Sequence, residues 1–129
     1  MSYNLRLIVT SGTLEKLQMA AMITAVAAAG GTEVAVFISM NALLFFRRLD
    51  ALEPSVEGEV GRLMLSKKAP SFRDLFRQAV DLGSVKVYPC SMAMDVLGVD
   101  PADLMPYMGA PMGLTKFLSE LDESHVLTF

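Results

Sequence analysis

The stretch LRLIVTSGTLEKLQMAAMITAVAAAGGTEVAVFI, from Leu5 to Ile38, decides the fold. It opens with a short apolar run, Leu5 to Val9, rich in branched side chains, and breaks at the turn cluster Thr10-Ser11-Gly12-Thr13. From Leu14 the apolar residues Leu14, Leu17, Ala21, Met22, Ala25, Val26 and Ala28 keep helical spacing until Gly30-Gly31 supplies a stop. Val34 to Ile38 then runs without a polar side chain, as expected of a parallel strand buried on both faces.

The same alternation continues along the chain. Met40 to Leu52 reads as a second helix, closed before Pro54, and 53–70 as the one long connection, with a brief apolar patch at Leu63 to Leu65. Ser71 opens a helix carrying Phe72, Leu75, Phe76, Ala79 and Val80 on one face, and Gly83 closes it. Val85 to Tyr88 is a third strand that runs into Pro89-Cys90-Ser91-Met92. A short helix to Leu97 with Gly98 at its end follows, then an Asp100-Pro101 helix start, a helix around Leu114, Phe117, Leu118 and Leu121, and a last strand from Val126 to Phe129. This order predicts an open three-layer α/β sandwich with a mostly parallel sheet of four or five strands, flavodoxin-like, in a single domain spanning 1–129. A flavodoxin-like strand order would place strand three beside strand one and open a crevice at their carboxyl ends. Thr10 to Thr13 and Pro89 to Met92 would then face each other across it.

Composition excludes several function classes. With 129 residues, 53% hydrophobic and 19% charged, the chain carries too much apolar side chain for a disordered segment. Eleven Lys and Arg against fourteen Asp and Glu leave a net charge of -3, so no basic excess exists to neutralise a phosphate backbone. Leu17 to Thr32, sixteen residues without a charge, falls short of the roughly 18 to 20 apolar residues of a spanning helix. Met1 to Arg6 shows no positive n-region leading into a cleavable apolar stretch. A cytoplasmic protein is expected, with no nucleic-acid partner and with membrane association left open but not predicted. The mean hydropathy of +0.44 exceeds what so small a chain can bury alone, which predicts a homo-oligomer.

The lone cysteine, Cys90, falls where a strand hands over to a helix. If Ser91 begins that helix, the sulfur lies near unpaired backbone N–H groups, an environment that favours thiolate. A thiolate is both nucleophile and sulfur acceptor. With no second cysteine the chain cannot close a disulfide of its own, and one Cys with one His, His125, supplies no zinc site. The alternative for Cys90 is a small buried hydrophobe, and on these residues alone both readings stay open. Across the expected crevice, Thr10, Ser11, Gly12 and Thr13 offer hydroxyls and N–H groups to an anion, or simply form a turn and cap a helix. One glycine in that turn matches neither a P-loop nor a dinucleotide fingerprint. Met92, Met94, Met105, Met108 and Met112, five of ten methionines, suit core or subunit packing. Asp95, one turn into the Cys90 helix, favours the helix start rather than proton transfer.

The segment Val87-Tyr88-Pro89-Cys90-Ser91-Met92-Ala93-Met94-Asp95-Val96-Leu97-Gly98-Val99, with Asp103-Leu104 and Gly113 to Leu118 further on, resembles the DsrE/DsrF/DsrH-like family of sulfur-relay proteins. It is most similar to the single-domain DsrE-like branch, sometimes labelled peroxiredoxin-like. It departs at Phe37-Ile38-Ser39-Met40-Asn41-Ala42, where that family often carries an aromatic, Gly-containing segment. The resemblance implies a flavodoxin-like fold, a trimer or hexamer, and a cysteine that carries sulfane sulfur as a persulfide or thiosulfonate; Cys90 is the matching position. Together with the local chemistry it predicts a sulfur carrier or sulfurtransferase. Cys90 accepts sulfur from a donor, Thr10, Ser11, Gly12, Ser91 and Met92 line the site, and a partner thiol removes the sulfur; no metal or cofactor is called for. A peroxidase would need a resolving thiol from another molecule. The competing reading is a non-catalytic module that binds a small anion or flavin in the crevice between strands one and three. A third is an assembly or membrane-associated protein whose apolar surface matters more than its thiol.

Overall fold

A computed structural model describes residues 4–48 and 52–129. Four strands form one sheet: β1 (Asn4–Val9), β2 (Glu33–Ile38), β3 (Val85–Pro89) and β4 (His125–Thr128). All neighbours are parallel and the order is β3-β2-β1-β4. Between them lie α1 (Leu14–Ala29), α2 (Glu59–Ser66), α3 (Phe72–Asp81), α4 (Ser91–Leu97) and α5 (Leu114–Ser119), with 3₁₀ turns at Met40–Phe46 and Pro101–Asp103.

The register sorts the sheet into two unlike faces. Leu7, Val36 and Val87 share a row, as do Val34 and Val85, and all are at most 3% exposed. The crossovers β1-α1-β2 and β2-α3-β3 step in the same direction along the sheet, so right-handed connections put α1 and α3 on this one face, packed against each other. The return from β3 to β4 steps back across the sheet and covers the opposite face. There α5 lays the fully buried Phe117 against Phe37, ring centroids 5.0 Å apart, with the Arg6 guanidinium 5.5 Å from the Phe117 ring. Ile8, Ala35 and Tyr88 on that face stay partly exposed, so this second helical layer is thinner than the first.

The expected open α/β sandwich with a parallel four-stranded sheet is what forms, and one detail inside it is corrected: β3 does not lie beside β1. β2 intervenes between β1 and β3, and the direction of winding reverses between β1 and β4, not at Cys90. The outer edge of β3 is not bare. Residues 108–112 run parallel to it, with bridges Val87 to Met108 and Cys90 to Met112. Gly109 N donates to Val87 O at 2.7 Å and Met112 N to Pro89 O at 3.0 Å. Gly109 permits that approach, since a β-carbon there would lie 3.3 Å from both Val87 O and the Tyr88 ring.

Two helical expectations also change. The helix expected over Met40 to Leu52 is a shorter 3₁₀ turn ending at Phe46, and 49–51 lie outside the described residues. The connection 53–70 contains α2, held at its start by a side chain from α1. The Glu15 carboxylate accepts hydrogen bonds from Glu57 N and Gly58 N, each at 2.8 Å, and Thr13 Oγ1 donates to the Glu57 carboxylate. These N–H donors, Glu57's first, hold the Glu15 carboxyl below the usual glutamate value. Gly61 makes room, because a β-carbon there would lie 2.6 Å from the Glu15 carboxyl carbon. Elsewhere the expected boundaries hold. The Ser71 hydroxyl accepts from Arg73 N at the start of α3, and Gly83 and Gly98 close α3 and α4 at φ 92° and 67°.

Candidate functional site

Cys90 is the N-cap of α4, in extended conformation at φ -70°, ψ 122°. An N-cap oxygen normally accepts from the second and third N–H groups of the helix, here those of Met92 and Ala93. Neither has an acceptor among the described residues, and the Cys90 side chain makes no capping hydrogen bond. Cys90 therefore occupies the cap position without filling it, and the two N–H groups at the head of α4 lack a protein acceptor. Its own backbone is fully engaged: Cys90 N donates to Ile38 O at 2.9 Å and Cys90 O accepts from Met94 N at 3.0 Å. Ser91 N donates to Met112 O at 3.0 Å, which ties the start of α4 to the 108–112 segment. Cys90 is 4% exposed.

The hydrogen bonds that extend the sheet past its named strands align a row of side chains. In a parallel ladder, a residue that donates to position i of its neighbour is paired with position i+1. Cys90 N to Ile38 O therefore pairs Cys90 with Ser39, and Ser39 N to Val9 O, at 2.9 Å, pairs Ser39 with Thr10. Met112, bridged to Cys90, completes the row. Pleat alternation turns Thr10, Ser39 and Cys90 to the face that carries Ile8, Phe37 and Tyr88, beneath α5. Adjacent strands lie about 4.8 Å apart, so Thr10 is about 10 Å from Cys90 with Ser39 between them.

The structure thus separates some predicted site residues and joins others. Cys90, Ser91 and Met92 stay together at the head of α4, with Met92 48% exposed. Thr10 shares their register row but does not face Cys90 across a crevice. Its N–H and hydroxyl both donate to Phe129 O, at 2.8 and 3.1 Å, and Ser11 N donates to the same oxygen at 3.3 Å. Those donors are filled by β4's extension rather than open to a ligand. Gly12 is packing: a β-carbon there would meet Phe45 Cε2 at 2.9 Å. Among the described residues, no group of three His, Cys, Asp or Glu side chains could hold a metal ion.

Comparison with known proteins names the fold. The pattern of the DsrE/DsrF/DrsH-like family matches residues 57–129, more than half of the chain and the part that contains Cys90. The chain belongs to this family. Two solved members of the same architecture align with it almost end to end. The ychN protein from E. coli superposes with a TM-score of 0.61 at 18% identity, over 100% of both chains. A protein of unknown function, MTH1491 from Methanobacterium thermoautotrophicum, gives 0.60 at 11% identity over 99% of this chain and 100% of that one. At such identities the likeness is one of fold. No curated protein sequence matches. For a DsrE-like chain the α/β sandwich with helices on both sides of a parallel sheet is the expected architecture, and family membership suggests a sulfur-relay role. Among the described residues, no helix is long and apolar enough to cross a membrane.

Proposed function

We propose that this protein is a sulfur carrier that takes sulfane sulfur onto Cys90 and passes it to a partner thiol. The observation that carries this reading is the DsrE/DsrF/DrsH-like match over residues 57–129, which encloses the chain's one cysteine. The chemistry is a displacement without net oxidation. The Cys90 thiolate attacks the outer sulfur of a donor persulfide, a new sulfur–sulfur bond forms, the donor's own sulfur–sulfur bond breaks, and the donor leaves as a thiolate. The product is a persulfide anion at the head of α4, where the N–H groups of Met92 and Ala93 have no acceptor among the described residues and suit a negative charge. A second displacement by an acceptor thiol regenerates Cys90. A lone cysteine suffices for both steps, since neither needs a resolving thiol.

The protein is further proposed to assemble with copies of itself. Met19, Met22 and Val26 on α1 are 48%, 45% and 74% exposed on a helix with no charge beyond Lys16, apolar surface that a second subunit would cover. Sedimentation velocity reads the assembly, and a monomer at micromolar concentration would remove that part of the proposal.

Intact mass after incubation with inorganic polysulfide tests the carrier reading. The expected result is a gain of one or more sulfur atoms, reversed by a reducing thiol and absent in Cys90→Ser. A parent protein that gains no sulfur, or a Cys90→Ser variant that gains as much, overturns it.

A further inference from the structure

We infer that the open part of the sheet beside α5 is a second binding site, for a small zwitterion of the α-amino-acid type: the ligand's carboxylate sits between Arg6 and Lys86 above Ala35, and its ammonium group meets Glu33. The site lies toward the amino ends of the strands, away from Cys90, and stands independently of the sulfur-carrier reading. Parallel sheets are normally covered on both faces. Here the register puts Arg6, Ala35 and Lys86 in one row on three adjacent strands, on the face that α5 covers only in part. Ala35 belongs to a strand with a neighbour on either side, yet it is partly exposed. The result is a cleft of about 280 Å³ whose lining includes Arg6, Glu33, Ala35, Lys86, Tyr88 and Glu120. That volume is near the lower end of the roughly 300 to 1,000 Å³ of small-molecule sites, so it suits a small metabolite.

The arrangement of charge selects the ligand. Strands lie about 4.8 Å apart, so the backbones of Arg6 and Lys86 stand roughly 10 Å apart with only the Ala35 methyl between their side chains. Glu33 is two residues before Ala35 on β2, about 6.6 Å away along the same face, and Glu120 borders the cleft from the end of α5. Two cations and two carboxylates sum to zero, so a net anion or a net cation meets as much repulsion as attraction. A dipolar ligand satisfies both signs because they are separated. Lys86, Glu33 and Glu120 make no ion pair or side-chain hydrogen bond among the described residues, which leaves their charges available. Arg6 is held in place before any ligand arrives: its Nε donates to Ser124 Oγ at 3.2 Å, and its guanidinium lies 5.5 Å from the Phe117 ring. Tyr88, partly exposed on the same face and two residues beyond Lys86, offers an aromatic wall to an apolar side chain of the ligand.

The test is a backbone-amide NMR titration of the full chain with three probes that share one ring and one carbon chain: L-phenylalanine, hydrocinnamate, which lacks the ammonium group, and phenethylamine, which lacks the carboxylate. L-phenylalanine is expected to give saturable shifts at the Ala35 and Lys86 amides, with either analogue at least about tenfold weaker because each leaves charged partners unmatched. Lys86→Gln, at an exposed position, is expected to weaken L-phenylalanine binding about tenfold, and Ala35→Leu to abolish it by filling the gap; the Lys86 variant carries the test if the larger side chain disturbs the sheet. Absence of saturable shifts up to about 10 mM L-phenylalanine would overturn the proposal. Equal binding of the three probes within about twofold would overturn it as well, since the cleft would then recognise the ring alone, and so would a Lys86→Gln variant that binds as the parent does.

Discussion

Gly12→Ala probes how tightly the β1–α1 turn is packed against the segment that follows β2. The β-carbon would lie 2.9 Å from Phe45 Cε2, 3.1 Å from Asn41 Cβ and 3.4 Å from Asn41 O. Carbon atoms settle at about 3.5–4.0 Å, so the first contact is short by roughly 0.6 Å or more. Neither neighbour is a free side-chain tip. Phe45 is 8% exposed, and the 3₁₀ turn that carries it is tied to β1 by Ala42 N donating to Thr10 O at 3.2 Å. Relief therefore requires a backbone shift, the situation in which overpacking costs about 1–3 kcal/mol. With a urea slope of about 2 kcal/mol per molar, a loss of about 2 kcal/mol moves the unfolding midpoint down by about 1 M. Urea titration followed by far-ultraviolet circular dichroism measures this directly. A midpoint unchanged within about 0.2 M would show that the turn is looser than its geometry implies.

Further outcomes follow from the same structure. Phe117→Ala removes the aromatic plug that α5 sets on Phe37 and should cost about 3–5 kcal/mol, measured by urea midpoint; a loss under about 1 kcal/mol would mean that α5 is not what covers this face. Tyr107 has a buried hydroxyl with no hydrogen-bond partner among the described residues, and burial raises its ionisation well above the ordinary phenol value. Tyr107→Phe should therefore stabilise the protein by about 1 kcal/mol, seen as a rise of a few degrees in Tm, and a fall in Tm would refute the orphaned hydroxyl. Glu15 has its ionisation lowered by folding, so its contribution is present above the ordinary value of 4.5 and is lost as pH falls below it. Amide exchange at Glu57 and Gly58 should accelerate on that acid side, and Glu15→Gln should show the acceleration already at neutral pH. Met112→Ala should open the sulfur, so that alkylation of Cys90 rises several-fold; an unchanged rate would place the barrier to access elsewhere.

Much of the architecture is legible in the sequence because it is local. Leu5 to Val9 and Val34 to Ile38 announce buried strands by composition, and Ser71, Gly83 and Gly98 mark helix ends by capping and by positive φ. Strand order is a different kind of information. Whether β3 pairs with β1 or with β2 changes no hydrophobic pattern, since Val85 and Val87 are buried either way. The fifth, irregular partner of β3 was hidden for a physical reason. Pro106 precedes it and Pro111 lies within it, which interrupts any strand pattern, while its pairing depends on the missing side chain of Gly109. α2 escaped notice because two turns of helix at 59–66 expose Val60, Leu63 and Leu65 and gain their anchor from Glu15, more than forty positions earlier in the chain.

The same distinction bears on the site. Cys90 could be singled out because a lone cysteine between a strand and a helix start is visible in one dimension. The residues beside it could not, because a strand's neighbours are invisible until the strand order is known. Placing β3 beside β2 replaces the expected crevice by a continuous row, Thr10, Ser39, Cys90 and Met112, one residue from each of four parallel segments. Each member then acquires a different part by its bonding. Thr10 holds the end of β4, Met112 ties the 108–112 segment to the end of β3, and Ser39 sits buried between Thr10 and Cys90. If sulfur is carried here, the nucleophile stands at the end of β3 inside that row, with the N–H groups at the head of α4 as support for the charge. Uptake of sulfur from polysulfide separates that role from the alternative, since a cysteine buried only for packing would show none.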